Sequence, residues 1–577
     1  VAILAQAPFR LLWCLPRPLP FRPMPSEASA RGKGKGSDAT ERSRSRSPRK
    51  MAKPAEAGAK IQFYYTSNPS SRESVFLRPV GWKPPPNGNG PSMVISHGWT
   101  EGTLAENFDP SKFDAAKEST WPLVKPSADL NFCARNGTQK PAPKQLRSRW
   151  IRSPQDVPTK LSFALVRWGG PYSAWMDEQE ANDGDWGKYG SPPSDEYMAA
   201  LLKEGVFAHP DLVSGSGGFD GPGPSVEVLN IYVRHSRDVW ELTGKGASHV
   251  VRCMKGKKRT SFWMLWPAEW EDTGDPDFAC YIDRQALFMA MRSFEAASCQ
   301  CGFPHSADLF ERITSKSWMA DLSLHPLSRL PACVLTTKDK VLTNCSKAAQ
   351  DAMDSLHHIR ALNPLKVEEG EPACPSAVNK DGITKGVVKL GWSWENRFVS
   401  VWNSKSELEK RLKDMMSQPG CTASSCIVQE WVDFDFEMRQ YYLPPHPCVP
   451  GARLTPTRIE CNAWGTRSNE NTVGQSHASF SKLSADDCIK RWNGDEAAWE
   501  MAKERATEVA QFLLAWLQSI NGAPVTMIRL DFMCKRTGDG KARVIFGEYC
   551  EMGACCLGWK EGPPTIWKAA LDAALRH

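Results

Sequence analysis

Two carboxylates close to the C-terminus are placed where they could bind a metal ion together. Asp531 lies in residues 525–534 and Glu548 in residues 542–550. Both segments alternate apolar and polar residues and are rich in β-branched and aromatic side chains, which predicts two strands. An Asp-Gly dipeptide at positions 539 and 540 separates them and is a strong signal for a hairpin turn. If this dipeptide forms the turn, counting back along both strands places Asp531 directly opposite Glu548.

The spacing of this pair determines its chemistry. Directly opposed residues on one face of a hairpin have Cβ atoms roughly 4.5–5.5 Å apart, so two carboxylates there repel each other unless a cation lies between them. Mg²⁺ is the natural cation, because it is often held by one or two carboxylates together with substrate phosphates. Arg529 shares the face of Asp531 by the two-residue period, whereas Ile528, Leu530 and Phe532 point into a core. The alternative is a solvated face with a surface ion pair.

The composition of the whole chain limits the classes of function. Its 577 residues are enough for roughly three or four domains, and 41% hydrophobic residues allow a packed core. Residues 1–60 carry 13 Lys/Arg and 4 Asp/Glu, a net charge of +9. Because the whole chain carries +7, residues 61–577 carry −2, which argues against nucleic-acid binding outside the N-terminal segment. The eighteen scattered cysteines fit no common zinc pattern and indicate free thiols in a reducing compartment.

The N-terminal segment is open to several interpretations. The chain begins at Val1, and residues 1–25 contain arginines but no acidic residue, as in an organellar transit segment or in translated upstream sequence before a start at Met51. Residues 42–50 form an Arg-Ser run typical of a disordered basic tail, a phosphorylatable segment or a nuclear-import signal. No run of 18 apolar residues exists, so we expect no transmembrane helix. We expect a cytoplasmic protein, with the nucleus or an organelle as alternatives if residues 1–50 are translated.

We predict an α/β (α+β) fold with four regions along the chain. They are a basic tail (1–60), a Trp/Pro/Gly-rich region of short strands (61–250), a mixed α/β region (251–330) and a regular C-terminal domain (331–577). The predicted strands before the C-terminal domain are 161–168, 226–233 and 261–266, and the predicted helix is 283–297. In the C-terminal half the predicted helices are 315–324, 348–360, 404–416, 496–520 and 566–576. The strands there are 332–336, 386–390, 398–402, 426–432 and 436–443, followed by the carboxylate hairpin.

This order of elements resembles the ATP-grasp superfamily, with its two-lobe fold, over about residues 310–577. Lys316 lies ahead of Leu330-Pro331 and looks like the family's first phosphate-contacting lysine, which opens a helix. Lys389 resembles the second ATP lysine, and a lysine in such an apolar strand needs an anionic partner. The loop at 392–397 departs from the family's glycine-rich phosphate loop, and Arg397 is a candidate to substitute by charge.

The resemblance also implies a nucleotide-binding hinge. In the family, a side-chain acceptor and a backbone amide read the adenine edge there, while an apolar residue packs on the ring. The residues that match this segment are Gln429, Glu430, Trp431 and Val432. Further along, Glu437 and Arg439 share one strand face, as in the peptide-ligase branch of the family. The resemblance implies that Glu437 holds the ribose hydroxyls and that Arg439 faces the phosphates; a simple cross-face ion pair is the alternative.

The carboxylate hairpin completes the family pattern. Asp531 and Glu548 match the metal carboxylates, and Arg529 matches an arginine that faces an acyl phosphate. The family commonly has Asn as a further metal ligand two residues after the Glu. Here that position is Cys550, and a thiol is a poor ligand for Mg²⁺.

The activity that the resemblance implies is ligation driven by ATP. The cofactors would be ATP and Mg²⁺ (or Mn²⁺), and a substrate carboxylate would become an acyl phosphate that an amine or thiol then attacks. Arg529 and Arg439 would hold the transferring group. The expected partners are a small-molecule or peptide carboxylate and an amine acceptor, with no membrane and with nucleic acid only through the tail. The alternatives are an ATP-binding module with weakened turnover and a non-enzymatic nuclear protein that acts through its Arg-Ser tail.

Overall fold

The computed structural model describes about three fifths of the chain. The described residues are 54–66, 75–77, 97–114, 117–127, 131–134, 139–141, 144–148, 151–154, 161–168, 226–233, 236–254, 256–269, 281–362, 383–393, 398–443, 454–464, 480–521, 525, 527–550, 559 and 561–576. Residues 1–53 of the N-terminal tail and Arg397 lie outside these residues. Among the helices of the described part, none is long and apolar enough to cross a membrane.

The N-terminal described region consists of short strands. They are β1 Lys60–Thr66, β2 Val75–Leu77, β3 His97–Leu104, β4 Leu123–Pro126, β5 Asn131–Ala134, β6 Gln139–Pro141, β7 Leu146–Arg147 and β8 Ile151–Arg152. Antiparallel pairing joins them into one sheet of order β7-β4-β3-β1-β8 and another of order β2-β5-β6. Their described core is small and contains Ile61, Phe63, Leu104 and Val124.

A parallel sheet follows. Its surrounding elements are β9 Leu161–Trp168, β10 Val226–Val233, α1 Ser236–Glu241, α2 Lys245–Cys253, β11 Lys258–Met264, β12 Trp266–Ala268, β13 Tyr281–Asp283, α3 Arg284–Ala296 and β14 Gln300–Phe303. The sheet has the order β10-β9-β11-β14, and all its pairs are parallel. The strands predicted at 161–168 and 226–233 are confirmed residue for residue. Because both lie in the same sheet as β11, the predicted boundary at residue 250 falls within this sheet.

The first lobe of the C-terminal half is an antiparallel sheet backed by helices. Its elements are α4 Ala307–Thr314, α5 Trp318–Leu322, β15 Cys333–Thr337, α6 Lys338–Thr343, α7 Cys345–Leu362, β16 Gly386–Lys389, β17 Val399–Trp402, α8 Lys405–Met416 and β18 Ser425–Glu430. The strand order is β15-β18-β16-β17. Val388 and Trp402 on one face share a hydrophobic cluster with Leu356 of α7 and Leu412 of α8. The predicted helix at 315–324 is shorter than expected, because Lys316 has a φ of +54°.

The second lobe is also antiparallel and is covered by a long helix. Its elements are β19 Phe436–Tyr442, β20 Arg458–Trp464, β21 Phe480–Leu483, α9 Ala485–Arg491, α10 Glu496–Asn521, β22 Ile528–Gly538, β23 Lys541–Cys550 and α11 Gly562–Arg576. The order is β21-β20-β19-β22-β23. Met438 and Phe532 pack with Ala502 and Leu513 of α10, so the helix buries one face of this sheet. Strands β20 and β21 were not predicted from the sequence.

The β22–β23 hairpin confirms the predicted opposition of Asp531 and Glu548, although the counting behind that prediction missed two irregularities. Gly538 pairs with Lys541, as expected, but the register then shifts between Arg536 and Gly538 and shifts back between Asp531 and Phe532. The two bulges cancel, and Asp531 lies opposite Glu548. A bulge re-aims the side chain beside it, and here the second one places the two carboxylates together.

The close approach of backbone and side chains at Gly386 gives a test of the first lobe. A Cβ on Gly386 would lie 2.2 Å from the carbonyl oxygen of Gln429 and 2.5 Å from the Trp402 ring. Gly386→Ala should therefore lower the free energy of unfolding by about 1–3 kcal/mol through overpacking. Thermal unfolding should show a lower Tm for this variant. Gly538→Ala is the matched control, because its Cβ would meet nothing closer than 3.9 Å; equal Tm values for the two variants would contradict the packing.

Candidate active site

Strand alternation gives the second lobe one apolar and one polar face. Residues 436, 438 and 442 of β19 and 528, 530 and 532 of β22 pack against α10. The intervening residues carry charge or hydrogen-bonding groups on the face turned away from α10. They are Glu437, Arg439, Tyr441, Arg458, Glu460, Asn462, Arg529, Asp531 and Glu548. A sheet face that is polar on four strands, β20, β19, β22 and β23, and largely buried is a candidate for a functional site.

Cross-strand register arranges these groups in rows. Glu460, Arg439, Asp531 and Glu548 are successive partners across β20, β19, β22 and β23. On one side, Asn462 pairs with Glu437, and on the other, Tyr441 pairs with Arg529. The predicted carboxylate pair therefore ends a row in which an arginine stands next to Asp531. Arg439 separates the acids Glu460 and Asp531, whereas Asp531 and Glu548 are adjacent carboxylates that need positive charge from elsewhere to be buried together.

Asp531 is held by two arginines. Arg529 donates from Nε to Oδ1 and from Nη2 to Oδ2, both at 2.8 Å, and Arg439 Nε lies 3.9 Å from Oδ2. Arg439 Nε also donates to Glu437 Oε1 at 2.6 Å. Burial raises the pKa of Glu437, Asp531 raises it further, and Arg439 opposes the change. The predicted alternative of a Glu437–Arg439 pair is thus present, and Arg439 also lies beside Asp531.

Glu548 faces the two lysines of the first lobe. Lys316 Nζ lies 3.5 Å from the Glu548 carboxylate. The Glu548 side chain is 41% exposed, as expected for a group at the open side of a cleft between the two lobes. Burial alone would raise the pKa of Glu548, but Lys316 and Lys389, followed by Arg529 and Arg439, hold it below the ordinary value. The carboxylate is therefore kept ionised in a positive environment.

The two predicted phosphate lysines come from separate elements of the first lobe. Lys316 lies in the turn between α4 and α5, directly before the helix that it was predicted to open, and donates to the carbonyl oxygen of Ser393 at 2.8 Å. Lys389 is buried at the end of β16, where it pairs with Ile427 and Val399. Alternation puts Lys389 on the face opposite the Val388 cluster, and this is the face that turns toward Glu548.

The predicted hinge residues divide between the two faces of β18. Gln429 is buried beside Ile427 on the cleft side, and its Oε1 has no hydrogen-bond partner among the described residues. Glu430 points to the other side, where it forms an ion pair with Arg360 and accepts a hydrogen bond from the Ala332 N–H at 2.9 Å. The Glu430 N–H also donates to the Ala332 carbonyl oxygen, at 3.1 Å. The side chain and the N–H of Glu430 are therefore both occupied within the protein, and the nucleotide-binding role of the segment stays a prediction.

Trp431 and Val432 continue the hinge. Lys385 Nζ lies 3.8 Å from the centroid of the Trp431 ring, and the indole N–H donates to Asp433 Oδ1 at 3.1 Å. A cation thus already covers one ring face of Trp431. Val432 is buried and is the apolar residue of the segment that is left to pack against a flat ring.

The carboxylate pair fits a magnesium ion held jointly with phosphates. Among the described residues no cluster of three or more His, Cys, Asp or Glu side chains has the arrangement of a metal site. Mg²⁺ typically takes one or two carboxylates and completes its shell with phosphate oxygens and water, and the cross-strand Asp531 and Glu548 supply that donor set. Cys550 pairs with Arg529, one row away, and its thiol does not suit Mg²⁺.

Sequence reasoning missed the residues that β20 adds to the site. Tyr441 Oη donates to Glu460 Oε2 at 3.0 Å, and burial raises the pKa of the Glu460 carboxyl. The signal was available, because residues 458–464 alternate Arg, Ile, Glu, Cys, Asn, Ala and Trp, a two-residue period with one polar face.

A further acid reaches the cleft from the parallel-sheet region. Glu269 follows β12, and its buried carboxylate binds Arg284 Nη1 at 2.8 Å and accepts the Gly391 N–H at 3.1 Å. Burial raises its pKa to about 7, although Arg284, the Gly391 N–H and Lys316 all act in the opposite direction. The Cys421 and Cys426 thiols also lie within its electrostatic range.

Comparison with known proteins gives similarity in structure alone. No protein-family model matches the chain, and no curated protein is similar to it in sequence. Among solved structures it is similar to D-cycloserine synthetase DcsG, with 14% identity and a TM-score of 0.37, over 72% of this chain and 99% of that one. It is also similar to D-alanine–D-alanine ligase from Bacillus anthracis complexed with ATP, with 11% identity, a TM-score of 0.36 and coverages of 72% and 98%. A third similar structure is VanG D-Ala:D-Ser ligase from Enterococcus faecalis, with 12% identity, a TM-score of 0.38 and coverages of 72% of this chain and 99% of that one.

The fold class is the one that the sequence predicted. Two antiparallel sheets of order β15-β18-β16-β17 and β21-β20-β19-β22-β23 carry the candidate lysines and carboxylates, and Lys316 of the first lobe lies 3.5 Å from Glu548 of the second. The resemblance of residues 310–577 to the ATP-grasp superfamily stays a prediction. A fold does not define a reaction, so a proposal about the reaction has to rest on the chemistry of the side chains.

The raised pKa of Glu269 predicts a pH-dependent stability. The folded-state pKa of Glu269, about 7, lies above the ordinary 4.5, so the folded protein binds the proton more tightly than the unfolded chain does. The stabilisation of the fold by this proton is fully present below about pH 4.5 and is lost as the pH rises through 7. Glu269→Gln stays neutral at every pH, so its Tm minus that of the wild type should increase from about pH 5 to about pH 8. Thermal unfolding at both pH values measures this. Glu500→Gln, on the exposed face of α10, is the control, and a constant Glu269→Gln difference would refute the shift.

Proposed function

We propose that this protein is an ATP-dependent ligase that activates a substrate carboxylate as an acyl phosphate for attack by an amine. The observation that carries the proposal is the convergence of Lys316 and Lys389 on the hairpin that bears Asp531 and Glu548. Cations from one lobe and a carboxylate pair from the other form a site suited to a magnesium-bound triphosphate. A thiol acceptor is the variant of this reaction that the same site would serve.

The chain's own residues divide the work between the lobes. Lys316 and Lys389 would neutralise phosphate oxygens. Asp531 and Glu548 would hold Mg²⁺, which when bound offsets the negative charge of the triphosphate. Arg529 donates to Asp531, and Lys316 lies beside Glu548. With the two carboxylates committed to the metal, Arg529 and Lys316 would contact the transferring group and the phosphates.

The nucleotide base is assigned to the hinge. The unpartnered Gln429 Oε1 faces the cleft and suits an exocyclic amino group, because a buried acceptor without a donor is costly. Val432 would pack on the ring, and its backbone would supply the remaining edge contact, because the N–H groups of Glu430 and Trp431 already donate to the carbonyl oxygens of Ala332 and Lys385. Glu437 and Asn462, one row from Asp531 toward this end of the sheet, are placed for the ribose hydroxyls.

The acyl transfer falls to the arginine rows. The substrate carboxylate oxygen attacks the γ-phosphorus and ADP leaves; the amine nitrogen then attacks the acyl carbon, its C–O bond to phosphate breaks, and phosphate departs after the amine loses a proton. Arg529 and Arg439 stabilise the negative charge that develops on the transferring group. Positioning and charge supply most of the rate in such phosphoryl transfer, and the polar face of the second lobe offers both.

Binding of the nucleotide tests the proposal first. Mg-ATP at about 100 times its dissociation constant should stabilise the wild-type protein by roughly 2.7 kcal/mol. We expect a raised Tm in the wild type and a lost shift in Asp531→Asn and in Lys389→Ala. Asp486→Asn and Lys413→Ala change exposed residues of the same types on α9 and α8 and should keep the shift. A well-folded wild type with no Mg-ATP shift would refute the nucleotide site.

Turnover separates the ligase from a second candidate, an ATP-binding module without catalysis. Cys550 at the position of an expected metal ligand favours the module. Wild type with Mg-ATP and pairwise mixtures of the twenty amino acids should release ADP faster than with Mg-ATP alone, and EDTA should abolish the release. Arg529→Gln should lower the rate at least about 100-fold, as the loss of a transition-state contact does. Mg-ATP binding without stimulated ADP release in any mixture would favour the module.

A further inference from the structure

The parallel-sheet region contacts the phosphate side of the ATP-grasp cleft through a buried acid. Glu269 has 4% of its side chain exposed, and its two carboxylate oxygens bind partners in different parts of the fold. One binds Arg284, at the start of α3, and the other accepts the N–H of Gly391, directly beyond β16 and Lys389. Its own carbonyl oxygen accepts the N–H of Thr422 at 2.7 Å. These bonds attach the first lobe to the region before it.

Arg284 extends this attachment to the next residue of the loop. Its guanidinium carbon lies 4.4 Å from the centroid of the Trp392 ring, in a cation–π contact. Residues 391 and 392 are therefore both held from the same side, one by the carboxylate and the other by the arginine that the carboxylate orients. Ser393 completes a tight turn, with its N–H donating to the Gly391 carbonyl oxygen at 2.9 Å.

The other side of this turn is the segment that carries Lys316. A Cβ on Gly391 would lie 2.1 Å from the carbonyl oxygen of Ser315, so the two backbones approach as closely as glycine permits. The Lys316 amino group donates to the carbonyl oxygen of Ser393 at 2.8 Å. The turn at 391–393 thus lies between Glu269 and the Lys316 segment, and a shift of the turn would move the lysine.

We infer that Glu269 is a positioning residue for the nucleotide-phosphate site, because it fixes residues 391–393 and through them the ammonium group of Lys316. The inference rests on the proposed nucleotide site. Arg284 forms an ion pair with the Glu269 carboxylate. Glu269 therefore contributes by holding the turn at 391–393 in place rather than by directing charge at the phosphates. It also makes the parallel-sheet region a working part of phosphate binding, since the acid comes from outside the two lobes.

The inference predicts a loss that depends on the number of phosphates. Glu269→Ala removes the acceptor of the Gly391 N–H and releases Arg284, so Lys316 loses its fixed position. A misplacement of about 1 Å is costly for charged contacts, and we expect Mg-ATP to bind at least about tenfold more weakly, whereas adenosine, held at the hinge, should change less than about twofold. Mg-ADP should lie between the two. A structural role alone would weaken all three ligands equally.

Dissociation constants of the full chain for Mg-ATP, Mg-ADP and adenosine, measured by calorimetry, test this. Glu295→Ala is the matched control, because Glu295 also accepts a backbone N–H, that of Ala307 at 2.9 Å, at the end of α4 opposite to Lys316. Glu269→Gln is the milder second variant: its amide oxygen can still accept from Gly391, but its NH₂ faces Arg284. This variant should weaken the binding of Mg-ATP, Mg-ADP and adenosine in the same order as Glu269→Ala, but by smaller factors.

The outcomes are distinct. Selective loss of Mg-ATP in either Glu269 variant, absent in Glu295→Ala, supports the inference. Parallel loss of adenosine and Mg-ATP, or affinities equal to those of the control, overturns it while leaving the nucleotide site standing. A wild type that binds neither adenosine nor Mg-ATP overturns the proposed function, and the inference with it.

Discussion

The structure of the site depends on the burial of opposite charges on one face of a single sheet. Asp531, Arg529, Arg439 and Glu437 are nearly fully buried, and a lone ion in such a place costs several kcal/mol. They are tolerated because each touches a partner of opposite sign. That pairing requires strands β19 and β22 to keep their register, since a slip of one residue would turn the charges into the apolar cluster under α10. The register is therefore fixed from both faces.

The same charges prepare the site for an exchange of partners. Arg529 is bound to Asp531, and Lys316 lies beside Glu548. A divalent cation and anionic phosphates would bind at the same place. A bound cation would compensate the two carboxylates, and Arg529 and Lys316 would then compensate the phosphates. The fold therefore need not create a vacant, uncompensated site in order to bind a highly charged ligand. The partial exposure of Glu548, in contrast to Asp531, marks the side from which the ligand would enter.

Sequence reasoning recovered the elements whose pattern is local. The alternation of β22 and β23 predicted their faces, and the stripe of α10 predicted its buried side. It reached the Asp531–Glu548 opposition by assuming an unbroken ladder, whereas two bulges that cancel lie on the way. Pairing by count cannot detect bulges, because each depends on tertiary packing as well as on local sequence. Glu460 was missed for a different reason: β20 alternates clearly, but its short run was left unassigned.

Other features could not be read from local pattern at all. Alternation predicts that Gln429 and Glu430 lie on opposite faces of β18. It does not predict which face borders the cleft, because that depends on which face of the sheet packs on α7. Glu269 lies 122 residues from Gly391 in the chain, and no periodicity connects them. Such long-range contacts are set by how regions dock. In this protein the docking of the parallel-sheet region fixes the turn that holds Lys316, so the proposed phosphate site would depend on the assembled chain rather than on the two lobes alone.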